Sequence, residues 1–208
     1  MKPLILIGGG GHCKAVIDAA ESAGFVIKGI LDRSEKIGTE VLGYPVIGTD
    51  ESIFKYIDDC EFVVTLGFIK DPLPRISLHH KITEAGGKFA TVIASTAQVS
   101  RYSDIGIGTV VLHGACINAA AKIGKGAIIN TMANIEHDAE VGDYCHISTG
   151  TMINGGCYIS NGTFVGSHSV INQNVKIGEN VIIASGSVVR KNIYEPGIYG
   201  GNPVKLIQ

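Results

Sequence analysis

The chain has 208 residues, of which 45% are hydrophobic and 17% charged, with 28 glycines. Such a composition belongs to a core-rich protein with many turns at positive φ, organised as one large domain or two small ones. A net charge of −2 argues against nucleic acid or an anionic membrane as the main partner. The aliphatic run at Leu4 to Ile7 is too short for a signal peptide or a membrane span.

The first 90 residues alternate short strands with helices. Residues 3–7 read as a buried strand, Gly8 to Gly11 as a tight loop, and His12 to Ala23 as an amphipathic helix that Gly24 stops. The next strand runs from Val26 to Leu31 and ends at Asp32. Val46-Ile47, Phe62 to Leu66 and Phe89 to Ile93 are further strands, with helical segments at Glu51 to Tyr56 and Pro74 to Ala85. That alternation predicts a small parallel α/β sheet of Rossmann character over residues 1–90.

Strand, Gly8 to Gly11, His12 and then helix is an arrangement that offers backbone N–H groups and a helix N-terminus to an anion. Asp32 lies about 20 residues on, where a carboxylate can reach ribose hydroxyls. Cys13 stands where the dinucleotide fingerprint has its third glycine or alanine. The loop is therefore either a diphosphate site or a tight turn without a ligand. A redox NAD enzyme is disfavoured, because no second α/β half follows.

From Ile93 to Val189 every sixth residue is Ile or Val, without exception. Four residues after each rung stands a small or β-branched residue, such as Ala115, Ala121, Cys145 or Thr151. A period of six fits neither an α-helix nor a hairpin meander; it is the hexapeptide repeat of a parallel β-helix, here over residues 91–190. No proline occurs between Pro74 and Pro196, as an uninterrupted stack of coils requires. Residues 191–208 read as an irregular tail. Of five cysteines (Cys13, Cys60, Cys116, Cys145, Cys157), none forms a CxxC pair, and Cys145 and Cys157 fall at inward positions. These features predict a reduced, cytoplasmic protein without a metal cluster.

One hexapeptide differs from the rest. After Ile135 come Glu136, His137 and Asp138, a histidine between two carboxylates at a turn. A neutral imidazole oriented by an adjacent acid can serve as a base near pH 7, taking the proton from an attacking nucleophile. His113 and His168 also fall at turns, without such neighbours, and read as surface or subunit-contact residues.

Together these pieces resemble the sugar O- and N-acyltransferases that couple a small Rossmann-like domain to a left-handed β-helix. They include bacterial nucleotide-aminosugar N-acetyltransferases and the related sialic acid O-acetyltransferases. The resemblance rests on Gly8 to His12, Leu31-Asp32, Asn130-Thr131, Glu136-His137-Asp138, Gly142-Asp143, His146 to Ser148 and Gly201 to Lys205. It implies that His137 is the general base, that Asp138 raises its basicity and that Asn130 lines the same site. It further implies that His146, Ser167 and Ser185 contact acetyl-CoA, and that Gly10, Gly11, His12 and Asp32 hold the nucleotide of a sugar donor. Gly67-Phe68 replaces the Gly-Asn usual in such proteins, in a loop expected to shape the sugar pocket, and Arg33 stands where many carry a second acid. A homotrimer with acetyl-CoA between neighbouring β-helices is implied too.

The leading expectation is thus an acetyl-CoA-dependent N-acetyltransferase acting on a nucleotide-linked amino sugar, a 4-amino-4,6-dideoxyhexose, with no metal. The alternatives are an O-acetyltransferase of a sialic acid, a non-catalytic sugar-nucleotide-binding β-helix, and a β-helix carbonic anhydrase. The last needs three converging histidines, and His113, His137, His146 and His168 lack stacking intervals within one helix.

Overall fold

The computed structural model describes residues 2–207. Its N-terminal part is a five-stranded sheet built on β1 (Leu4–Ile7), α1 (Gly11–Ser22), β2 (Ile27–Leu31), β3 (Glu40–Val41), β4 (Tyr44–Gly48), β5 (Glu61–Val64) and α2 (Leu73–Glu84). The strand order is β3-β4-β2-β1-β5, parallel except for the β3–β4 hairpin. β1 is wholly buried, with Leu6 facing α1 and Ile5 facing α2, as a continuous aliphatic run in a parallel sheet requires.

Several local expectations need correction. The hairpin partner β3 had no clear sequence signal; Leu42 and Gly43 make its turn, with φ of 50° and 83°. Residues 51–56 wind as a 3₁₀ segment, Asp50–Lys55, rather than an α-helix. Phe89 makes a single bridge to Phe62, whereas Val92–Ile93 joins the β-helix. The tail is not irregular either. Gly197–Gly200 continues a face of the β-helix beside Val181–Ile183, and Lys205–Leu206 folds back antiparallel on it.

The β-helix has three faces made of two-residue strands. The first face runs from Val92–Ile93 through Ile128–Ile129 and His146–Ile147 to Val181–Ile183. Gln98–Val99 to Val188–Val189 form the second, and Asp104–Ile105 to Lys176–Ile177 the third. Equivalent residues are 18 apart, as in Ile128↔His146↔Phe164. Each rung fills the prism: from Val111 to Val189 none exceeds 4% exposure, while Ile93, Val99 and Ile105 at the open end are half-buried. Cys145 and Cys157 pack among them, as their inward positions predicted.

α1 packs on the start of the first face through Val92, Val110 and Leu112. In its first turn α2 carries Arg75, which is fully buried and has no carboxylate partner among the described residues. Its Nη1 donates to the carbonyls of Val64 (2.6 Å) and Leu66 (2.9 Å), and its Nε to Gly126 of the β-helix (3.0 Å). One guanidinium therefore ties the end of β5 to a β-helix corner. No helix among the described residues is long and apolar enough to cross a membrane.

Two substitutions test the coil geometry. Ile159→Ala should cost about 2–5 kcal/mol by opening a cavity in the prism. A methyl group on Gly124 would lie 2.5 Å from the Asp143 backbone nitrogen and 2.6 Å from the Gly142 carbonyl carbon, so Gly124→Ala should cost roughly 1–3 kcal/mol. Denaturant unfolding midpoints check both.

Candidate active site

At the C-terminal edge of the sheet, Gly8 (φ 105°) turns the chain out of β1, and Gly10 caps α1 without a side-chain partner. No acidic residue occupies the first turn of α1, so its N-terminus is open to an anion. The Asp32 carboxylate holds this loop. Its Oδ2 accepts the Gly9 N–H at 2.8 Å, and its Oδ1 accepts the Arg33 N–H at 2.8 Å. A side chain on Gly9 would collide with it, with 2.8 Å between Cβ and Oδ2. Beside Asp32 lies a slot walled by Ile7, Leu31, Leu66 and Leu78, with Arg33 and Asp50 at its rim.

The other side of the loop opens into a cavity of about 550 Å³, within the size range of small-molecule sites. Gly10, Gly11, His12 and Gly67 line it together with Leu66, Phe68 and Ile69, and His146 of the β-helix closes it. His146 lies in a strand of the first face and is buried, not at an exposed turn. Its Nδ1–H donates to the Phe68 carbonyl at 2.7 Å, leaving Nε2 to accept from Asn130 Nδ2 at 3.3 Å. Asn130 Oδ1 accepts the Thr131 N–H at 2.7 Å, so its amide orientation is fixed and one N–H stays free. Phe68 and Phe164 stand edge-on to the imidazole, at 5.7 and 5.2 Å between ring centroids.

Burial, reinforced by the Arg75 charge, keeps the histidines of this region neutral. His146 is lowered to about 4 by burial, against the opposing Phe68 bond. His12, whose Nε2 is buried without a partner, is lowered to about 3, and so is His79 of α2, which stacks on Phe89.

His137 stands elsewhere. It occupies the corner between the second and third faces, opposite the first face that carries His146. Its Nδ1 lies 2.8 Å from Asp138 Oδ2, and both side chains are exposed. That bond, then the surrounding negative charge of Asp138 and Glu136, raises the imidazole above its ordinary range. Glu136 turns the other way and accepts from Asn134 Nδ2 at 3.0 Å. Asp138 has φ of 59°, at the corner position where Gly156 and Asn174 follow one and two coils later.

Ser167 and Ser185 fall at the corner between the first and second faces, 18 residues apart, in one column with Thr131 and Thr149. Ser167 Oγ is 2.9 Å from Ser148 Oγ. Of the expected site residues, one chain thus brings together Gly10, Gly11, His12, Gly67, His146 and Asn130, with Asp32 behind the loop. It does not bring His137 and Asp138 to them. His113 has a neighbour that the local sequence does not show: Asp18 of α1, with Nε2 to Oδ2 at 3.3 Å, while Thr96 Oγ1 lies 2.7 Å from Nδ1. Sequence reasoning passed over Phe164 and Arg75. Phe164 carries a faint signal, an aromatic at an outward position one coil after His146; a single arginine in a helix carries none. No group of three or more His, Cys, Asp or Glu side chains among the described residues is placed to hold a metal ion.

Comparison with known proteins agrees with this geometry. Residues 3–82 match the model of the PglD N-terminal domain, and residues 156–191 that of the bacterial transferase hexapeptide (six repeats). The chain is 30% identical to perosamine N-acetyltransferase from Caulobacter crescentus, solved as a histidine-to-asparagine variant in complex with CoA and GDP-perosamine. That match covers 100% of this chain and 98% of the other, with a TM-score of 0.94. The acetyltransferase domain of PglB from Neisseria gonorrhoeae FA1090 is 27% identical over 100% of both chains, with a TM-score of 0.91. WeeI from Acinetobacter baumannii AYE shares the fold at 23% identity, covering 100% of both chains with a TM-score of 0.89. No curated protein matches the sequence. Fold and site define the class, an acyltransferase on a left-handed β-helix with a small α/β domain before it. Within that class the chain belongs to the sugar N-acetyltransferases with a PglD-type N-terminal domain.

The buried histidines set an acid limit on stability. An unfolded chain protonates them below about pH 6.5, whereas the folded chain resists until near its depressed values, so stability falls as pH drops through that window. The melting temperature should decline between pH 7 and pH 5, and His79→Phe should flatten the decline. An unchanged slope in the variant would exclude His79 from the effect.

Proposed function

We propose that this enzyme transfers the acetyl group of acetyl-CoA to the amine of a nucleotide-linked amino sugar, a 4-amino-4,6-dideoxyhexose, with His137 as general base. The observation that carries this reading is the His137–Asp138 pair. With Asp138 accepting from Nδ1–H, the lone pair lies on Nε2, and the exposed ring is free to meet a substrate.

The open N-terminus of α1, with Gly10 and Gly11, suits the diphosphate, and the slot beside Asp32 suits the nucleoside. The sugar would then enter the cavity between His12 and His146. Its Leu66, Phe68 and Ile69 walls favour a methyl at C6 over a hydroxyl, and its neutral imidazoles do not repel a substrate ammonium. The hydroxyl column from Thr131 to Ser185, flanked by Gly150 and Gly186, fits the amide-bearing arm of coenzyme A.

His137 reaches that cavity if it comes from a second copy of the chain, and a homotrimer supplies one. The outward residues of the second face are Gln98, Cys116, Asn134, Met152, Val170 and Val188, all uncharged. The third face shows Asp104, Lys122, Glu140 and Lys176. The uncharged face is the one suited to packing. It is bounded by the serine corner on one side and by the His137 corner on the other. Packing around a threefold axis thus sets the base of one copy against the cavity of the next.

The donor supplies an activated acetyl carbonyl. As the amine nitrogen bonds to that carbon and the C–S bond breaks, Nε2 of His137 takes the amine proton and returns it to the departing sulfur. Asp138 holds the tautomer throughout. The free N–H of Asn130 is available for the negative charge that develops on the carbonyl oxygen. Positioning of the two substrates supplies most of the acceleration.

A thiol-release assay with acetyl-CoA and GDP-, UDP- and dTDP-linked amino sugars tests the reading. His137→Ala should lose roughly 100-fold or more in turnover, and full turnover in that variant would refute the base. The rate should rise as His137 loses its proton, so the acid limb of the profile lies above the ordinary imidazole range. Asp138→Asn, which keeps the shape and tolerates the left-handed backbone, should move that limb to lower pH and reduce the plateau.

A further inference from the structure

We propose that Gly155 is the positioning residue of the base. Having no side chain, it leaves a shelf one coil along the β-helix on which the His137 imidazole lies, and so fixes the direction of Nε2. The inference rests on the reading of His137 as general base.

A Cβ on Gly155 would lie 2.8 Å from Cε1, 2.9 Å from Nε2 and 3.3 Å from Nδ1 of His137. The three nearest atoms all belong to the imidazole, and none to the backbone. The ring is thus fixed at two points, by the Nδ1 bond to Asp138 and by the bare backbone beneath it. The ladder keeps the two coils in register here, with the Gly156 N–H donating to the His137 carbonyl.

The coil itself does not require glycine at this position. The left-handed residue of the corner is Gly156, with φ of 66°, whereas Gly155 lies outside that region. Equivalent positions one coil apart hold Ala119, His137 and Gln173, so side chains are tolerated there. Gly124 and Gly166 differ, because a Cβ on either would strike backbone atoms of the next coil. What distinguishes Gly155 is the ring above it.

An added methyl must push the ring away by roughly 0.7 Å or more to restore ordinary carbon contact, and misplacement on the order of 1 Å can cost about 100-fold in rate. Gly155→Ala should therefore lower kcat roughly 10-fold or more, with KM for both substrates near the wild-type value. The decisive experiment is a double-mutant cycle of Gly155→Ala with His137→Ala, read in both kcat and melting temperature. If Gly155 acts through the imidazole, the methyl costs activity in the wild-type background and nothing further once the ring is gone. Any drop in melting temperature caused by Gly155→Ala should likewise vanish in the double variant. Equal losses in both backgrounds, or wild-type turnover in Gly155→Ala beside a crippled His137→Ala, would overturn the proposal. Full turnover in His137→Ala overturns the base assignment instead, and the melting cycle still decides the shelf.

Discussion

Insertion of a branched side chain into the prism at every sixth residue is the constraint on which the rest of the molecule depends. With Ile or Val at each rung and a small residue four later, three faces close around a core that admits no slip. Residues 18 apart then stack in columns. The hydroxyls from Thr131 to Ser185 share a column, and so do His137 and the glycine beneath it. An insertion anywhere in the ladder would turn one column out of line with the next, which accounts for its unbroken length.

The second constraint is the joint between the two parts of the chain. Arg75 holds the end of β5 and a β-helix corner through three carbonyls, and the loop so fixed presents the Phe68 carbonyl to His146. An isolated buried cation is costly, and its lowered value, about 9, reflects burial without a carboxylate partner. The same charge helps to keep His12 and His146 unprotonated. The joint therefore does two things: it fixes the wall of a cavity and adds to the burial that keeps its histidines neutral. The exposed His137 faces the opposite influence, an acid at hydrogen-bonding distance, and its proton affinity rises. Histidines of one chain are thus tuned in opposite directions by burial and by a carboxylate.

Most of the fold could be read from the sequence because its signals are periodic. The ladder gave the coil from Val92–Ile93 onward, and the strand–glycine–helix pattern located α1 within a residue at each end. Strand β3 and the ordered tail escaped: β3 is only two residues long and reverses at Leu42-Gly43, and Gly197–Gly200 is ordered by pairing with Val181–Ile183 rather than by a local pattern. At the site, Glu136-His137-Asp138 stood out by composition; in the structure Asp138 contacts the ring while Glu136 turns away to Asn134. The burial of His146 was not legible, because its partner Phe68 lies 78 residues earlier. Nor was Arg75, whose three acceptors are main-chain carbonyls that any residue could supply.

The proposed mechanism joins a cavity on the first face to a base on the opposite corner, and this separation makes the account depend on assembly. Complementation between two inactive chains tests that dependence most directly. His137→Ala lacks the base, and Gly11→Trp blocks the cavity; each alone should be inactive. When the two are co-expressed in equal amounts, about a quarter of the sites in randomly mixed trimers combine an intact cavity with an intact base from a neighbour. The account predicts recovery of activity to that order in the thiol-release assay. No recovery in trimers shown to contain both chains would contradict it and place the base and cavity of each site in a single copy.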